Sequence, residues 1–189
     1  AGRNRAVHVA TVSQDGIGEG GRVDETLKRL EWASCRAPDI VCLPENFSRL
    51  SAESVPGPLT ERLGAWAREK SCYLIAPFRT VDQNHLHNSA IVFDRHGRVM
   101  GQYHKVRLTE GELKEGICPG PLDVPVFETD FGTIGIQICF DVNWTEQWAQ
   151  LKRKGADIVF FPAAYPASRH LSVLARTCQY YVVSSARSR

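Results

Sequence analysis

The chain has 189 residues, enough for one domain with a sizeable core and too few for two comfortable ones. Its 43% hydrophobic and 23% charged content is that of an ordinary soluble globular protein. The 23 basic and 21 acidic side chains are dispersed and leave a net charge of +2, so no basic block points to nucleic acid or a membrane surface.

Cys35, Cys42, Cys72, Cys118, Cys139 and Cys178 are scattered. None forms a C-x-x-C pair or stands at zinc spacing from a histidine, which argues against a metal site and against a secreted disulfide framework. The opening residues lack an apolar signal core, and no run approaches the roughly 18 apolar residues of a membrane span. A reduced, cytoplasmic setting is the expectation. Because the chain begins at Ala1 rather than Met, its true start is expected to lie upstream.

In chain order, Ala6 to Val12 alternates as a first strand, followed by a glycine-rich loop from Gly16 to Gly21. Asp24 is placed to cap a helix running to about Arg36, with Val23, Leu27, Leu30 and Ser34 on one stripe. Pro38 stops that helix. Asp39 to Leu43 is then a continuous apolar run, the mark of a strand buried on both faces, and it ends at Pro44-Glu45-Asn46. After a loop over Ser51 to Pro58, Thr60 is read as the cap of a second helix carrying Leu63, Trp66 and Ala67. Tyr73 to Phe78 is the next strand, and Asn88 to Asp94 and Arg98 to Lys105 form a hairpin around Arg95-His96-Gly97.

Thr109 to Asp123, rich in Gly, Pro and Glu, reads as loop, and Val124 to Glu128 as a short strand. Ile134, Ile136 and Ile138 then place β-branched residues at every second position of a strand that delivers Cys139. Thr145 is read as the cap of a helix with Trp148 and Leu151 facing in, its last turn basic (Lys152, Arg153, Lys154) and Gly155 as its left-handed stop. Ala156 to Phe161 runs to Pro162 and echoes the earlier stretch from Pro38 to Pro44. Leu171 to Tyr180 reads as a helix and Tyr181 to Ser185 as a strand. Such alternation defines an α/β sheet protein. The chain closes on Ala186 to Arg189 with no terminal helix, so further C-terminal structure is expected.

Three ionisable residues sit at the exits of apolar strands: Glu45, Lys105 and Cys139. A thiol becomes a nucleophile when a carboxylate takes its proton, and an ammonium stabilises the oxyanion of a tetrahedral intermediate. Base, cation and thiol together suit acyl transfer from an amide. Each residue alone has a plainer reading, as a solvated loop carboxylate, a snorkelling lysine or a core cysteine.

LPENF around Glu45, GQYHKVRL around Lys105 and GIQICFDVNW around Cys139 resemble the three signature segments of the nitrilase superfamily of carbon–nitrogen hydrolases, in the same order. The separations are 60 (105 − 45) and 34 (139 − 105) residues, and the connecting text is similar as well. The resemblance implies a four-layer α-β-β-α sandwich, a single domain over 1–189 that is incomplete at its C-terminal end. It implies Cys139 as nucleophile forming a thioester, Glu45 as general base, and Lys105 as oxyanion stabiliser with the backbone N–H of Phe140. A second glutamate follows the lysine in this family; Glu112 is the better match and Glu115 its competitor.

Asn143, Trp144 and Tyr165 are candidates to line the substrate pocket, and Arg169 or His170 to hold a substrate carboxylate. The implied activity is hydrolysis of a small linear amide or N-carbamoyl compound, without a cofactor or metal, by a homodimer or higher oligomer. The helices Thr145 to Lys154 and Leu171 to Tyr180 are the candidate interface. An acyltransferase with the same triad and an inactive scaffold subunit stand as alternatives. A Cys-His-Glu amidotransferase is disfavoured because neither His104 nor His170 lies in a recognisable motif.

Overall fold

The computed structural model of the protein describes residues 6–13 and 22–187. The expected loop from Gly16 to Gly21 lies outside them. The first half runs β1 (Val9–Thr11), α1 (Arg22–Ser34), β2 (Ile40–Cys42), α2 (Pro58–Lys70), β3 (Tyr73–Asp82), β4 (His85–Phe93) and β5 (Val99–His104). Its strands bond in the order β1-β2-β3-β4-β5, the first three parallel and the last two added as antiparallel hairpins. The second half runs α3 (Glu110–Lys114), β6 (Val126–Thr129), β7 (Gly132–Ile136), a 3₁₀ turn (Cys139–Asn143), α4 (Thr145–Arg153), β8 (Ile158–Ala163), α5 (Ser168–Cys178) and β9 (Tyr181–Ala186). Here the order is β6-β7-β8-β9, antiparallel at β6-β7 and parallel thereafter.

The two-residue period of the strands sorts their side chains into layers. On the first sheet Ile40, Cys42, Tyr73, Ile75, Ala90 and Val92 point one way, where they share one core with Ile134, Ile136, Ile158 and Phe160 of the second sheet. Val41, Leu43, Leu74, Ala76, Ile91 and Phe93 point the other way, against Val23 and Leu30 of α1 and Leu63, Trp66 and Ala67 of α2. On the far side, Trp148 of α4 packs on Phe161 at 6.0 Å between ring centroids. The layers are therefore α-β-β-α, as the resemblance implies. Gly135 marks how closely α4 lies on the second sheet: a Cβ there would meet Leu151 Cδ2 at 2.8 Å.

Several boundaries differ from the sequence reading, each for a local reason. Asp24 lies inside the first turn of α1, where its charge favours the helix dipole, rather than at the cap. Pro58 opens α2, and Thr60 stands two residues inside it, its hydroxyl accepting the N–H of Gly57 at 2.7 Å. Trp144 occupies the cap of α4, and Thr145 is its first helical residue. Gly155 does provide the left-handed stop, at φ 81°. Pro162 lies within β8 rather than ending it, paired with Ser185. The stretch read as loop over Thr109 to Asp123 contains α3, a helix of one turn. Trp148 and Leu151 are core residues, and all six cysteines are free thiols. Among the described residues no helix is long and apolar enough to cross a membrane.

Candidate active site

Glu45, Lys105 and Cys139 come from three separate strand exits. After β2 the chain keeps pairing with β3, through Leu43 N–H to Ile75 O at 2.9 Å and Phe47 N–H to Pro77 O at 3.2 Å. Between those bonds it uses four steps where β3 uses two, so Pro44-Glu45-Asn46 bows out, with Asn46 in the left-handed region at φ 46°. Lys105 follows β5 and is pinned on both sides: its N–H donates to Asn88 O and its carbonyl accepts from Gly120 N–H, each at 2.8 Å. Gly120 is required there, since a Cβ would stand 2.2 Å from the carbonyl oxygen of His104.

Cys139 sits three residues past the end of β7, at the first position of the 3₁₀ turn and at φ 46°. A non-glycine residue in that region costs of order 1–3 kcal/mol and persists only where its surroundings enforce it. Asp141 does the enforcing. Its carboxylate accepts the Ile138 N–H at 2.9 Å, the Arg107 N–H at 2.7 Å and the Tyr103 hydroxyl at 2.7 Å. Its carbonyl accepts the indole N–H of Trp148 at 3.2 Å. Burial pushes this carboxyl up to about 6, against those three donors. One side chain thus ties the cysteine turn of the second sheet to the lysine loop of the first.

These side chains converge on a pocket of about 250 Å³ lined by Glu45, Lys105, Glu112 and Cys139, with Arg79, Asn88, Glu115, Ala164 and Arg187. The Lys105 ammonium is 1% exposed and lies 2.8 Å from Glu45 Oε1 and 2.9 and 3.1 Å from the two oxygens of Glu112. Asn88 Nδ2 bridges the same carboxylates at 2.9 and 2.7 Å. Glu112 also closes a capping box with Thr109, accepting its N–H at 2.9 Å while its own N–H reaches the threonine hydroxyl at 3.3 Å. Of the two candidate glutamates, Glu112 is buried against Lys105. Glu115 has a side chain 62% exposed and pairs with Arg79 at 3.1 Å.

The electrostatics follow from burial and pairing. Burial lifts the Cys139 thiol and Glu45 adds to it, by charge and by a hydrogen bond, up to about 12, with Lys105 opposing. Burial pulls the Lys105 ammonium down, but Glu45, Glu112 and Cys139 reverse this and hold it above its ordinary value. Burial raises Glu112, yet Lys105 and the Thr109 and Asn88 donors bring it below the usual carboxylate range. The resting state is therefore a neutral thiol beside a paired ammonium. Such a thiol reacts only as its proton leaves.

Tyr165 lies near enough that Cys139 and Glu45, after burial, raise its phenol. Phe140 is half-buried, and its ring meets Trp144 edge-on at 5.1 Å. Asn143 is exposed and folds back on the Phe140 carbonyl at 3.0 Å, and Arg107 covers the Trp144 ring at 5.3 Å. Neither Asn143 nor Trp144 lines the pocket, because the 3₁₀ turn winds them away from it. Arg169 and His170 are exposed at the start of α5 and do not line it either. His104 bonds to Ser89 at 2.6 Å and stacks on His87 at 4.2 Å, so it is engaged away from the thiol. Among the described residues no group of three or more His, Cys, Asp or Glu side chains has the geometry to hold a metal ion.

A match to the family described as carbon-nitrogen hydrolase covers residues 12–187. The chain belongs to the carbon–nitrogen hydrolase family. Among curated relatives, an omega-amidase of Xenopus tropicalis is 29% identical over 191 residues, covering 88% of this chain and 69% of the relative. A deaminated glutathione amidase of Synechocystis is 29% identical over 202 residues, covering 88% and 71%. In fold, the chain superposes on Nit3 of Saccharomyces cerevisiae, a member of branch 10 of the nitrilase superfamily, with a TM-score of 0.82. That match has 22% identity and covers 97% of this chain and 76% of the other.

Proposed function

We propose that this carbon–nitrogen hydrolase cleaves the C–N bond of small linear amides through a thioester on Cys139. The observation that carries the reading is the convergence of Glu45, Lys105 and Glu112 within 2.8–3.1 Å contacts beside a thiol on one pocket wall. Related amidases of the same family support the bond type. Glu45 takes the thiol proton as Sγ attacks the amide carbon, then gives it to the departing nitrogen, which leaves as ammonia or an amine. Water enters, Glu45 removes its proton, and the second tetrahedral intermediate collapses to carboxylic acid and free thiol, with that proton returned to sulfur.

Oxyanion stabilisation falls to Lys105 and to the Phe140 N–H at the start of the 3₁₀ turn, one of the donors a helix start leaves unpaired. All three donors of the ammonium are already engaged by Glu45 and Glu112, so Lys105 acts chiefly through its charge and the backbone supplies the direct hydrogen bond. Asn88 and Glu112 act as positioning residues that hold the lysine and Glu45 apart by a fixed distance. N-carbamoyl compounds present the same carbonyl and belong in the same substrate panel.

The test is ammonia release from amides, ω-amides and N-carbamoyl compounds by the wild-type chain and by Cys139→Ala. Release that disappears in the variant is the expected result. Equal release from both would overturn the reading, and acylation of Cys139 without hydrolysis would redirect it to acyl transfer.

A further inference from the structure

The charged groups on the pocket wall are paired, with one exception. Lys105 lies against Glu45 and Glu112, and Arg79 against Glu112 at 3.4 Å and Glu115 at 3.1 Å. Arg187 also lines the pocket. Its backbone N–H donates to Ala163 O at 3.1 Å, which fixes the residue one step beyond β9 and next to Ala164 of the same wall. Its side chain is half-buried, and its Nε is fully buried with no hydrogen-bond partner. Among the described residues no carboxylate or carbonyl accepts from its guanidinium.

An arginine Nε buried without an acceptor forfeits its hydration and gains no bond in return. No hydrogen bond among the described residues accounts for the placement of that side chain. Arg187 instead presents planar, forked donors on the wall of a pocket that holds a nucleophile, the arrangement that binds a carboxylate in two-point fashion.

We propose that Arg187 is the specificity-determining anchor for a carboxylate on the substrate, remote from the C–N bond that Cys139 attacks. The inference rests on the amidase reading and narrows it. The preferred substrates are short linear amides ending in an anion, and uncharged amides of the same length are poor ones. Arg79 is held by two glutamates and is not free for this role, and Arg49, the other nearby arginine, is exposed. Arg169 and His170, on α5, do not line the pocket.

Succinamate and butyramide share chain length and scissile bond and differ in one terminal carboxylate. The experiment measures kcat/KM for both with wild type, Arg187→Met and Arg187→Lys. Wild type is expected to favour succinamate. In Arg187→Met the succinamate-to-butyramide ratio falls roughly 10- to 100-fold, through KM more than kcat, as loss of a charge-assisted hydrogen-bond pair requires. Arg187→Lys recovers part of that ratio. As a readout independent of turnover, succinate should raise the Tm of wild type and not that of Arg187→Met. A wild-type enzyme with no preference for succinamate, or a ratio unchanged in Arg187→Met, overturns this inference and leaves the amidase reading intact. Absence of Cys139-dependent turnover of either amide overturns both.

Discussion

Replacing Lys105 by methionine tests whether the pocket is a buried balance of charge. The side chain is 1% exposed and makes three contacts of 2.8–3.1 Å with two carboxylates. Methionine fills much of the space but leaves Glu45 and Glu112 facing each other across Asn88, with Arg79 the nearest remaining cation, 3.4 Å from Glu112. Removing one partner of a buried ion pair costs about 3–5 kcal/mol. At roughly 2–4 °C per kcal/mol for a chain of this size, Tm should fall by about 6–20 °C at pH 7. Lys105 helps to hold Glu112 below the usual carboxylate range, and without that hold the penalty should shrink at pH 5 as protonation of Glu112 relieves the repulsion. A second change, Lys105→Met with Glu112→Gln, should recover most of the stability but none of the turnover, which falls roughly 10²- to 10³-fold with the oxyanion stabiliser gone. Circular-dichroism melts at both pH values and ammonia release at pH 7 measure the two effects. A single variant that melts with wild type at pH 7, or whose deficit is the same at pH 5, would refute the charge balance.

Glu45→Gln should lower turnover about 10²- to 10⁴-fold by removing the base. It should also make Cys139 more acidic, because burial and the Glu45 charge both hold that thiol up. Peptide mapping after brief iodoacetamide treatment at pH 8 should therefore show faster labelling of Cys139 in the variant, and slower labelling would count against Glu45 as the thiol's partner. Burial, then His87, depress the His104 imidazole to about 4, with Asp82 opposing. Its folded value lies below its unfolded one, so the stability it supplies is complete above about 6.5 and is lost as pH falls through 4. Allowing for partial exposure, roughly 1–2 kcal/mol should disappear across that window and the slope should flatten in His104→Gln, as read from urea midpoints at stepped pH. Gly135→Ala should cost about 1–3 kcal/mol by forcing α4 off the sheet, and a melt unchanged from wild type would show that Leu151 has room to move.

Glu45, Lys105 and Cys139 were legible in the sequence because each is a polar residue that ends an apolar strand, a pattern local in the chain. Glu112 carries a local mark too: Thr109 three residues before it is a capping box, which also announces α3 inside what reads as loop. Arg79, Asn88 and Arg187 carry no such mark. Asn88 meets Glu45 across 43 residues and Arg79 meets Glu112 across 33, so their roles exist only once the strands are paired. Asn143 and Trp144 illustrate the converse. Adjacency to Cys139 in sequence says little about direction when the chain turns through a 3₁₀ helix at that point. The α/β class was legible because apolar strands and helices alternate along the chain, while the four layers came only with the family resemblance; the caps read at Thr60 and Thr145 shifted by three residues and by one, since proline and neighbouring backbone decide the first turn.

The capping box at Thr109 and Glu112 has a thermal consequence. One carboxylate both closes a single-turn helix and clamps the ammonium beside the thiol. A five-residue helix has almost no cooperativity of its own, and it frays with local openings far below the global unfolding energy. Each fraying event takes Glu112 from Lys105 while both sheets stay packed. On heating, then, catalysis should fade several degrees before the far-ultraviolet signal moves, and return fully on cooling.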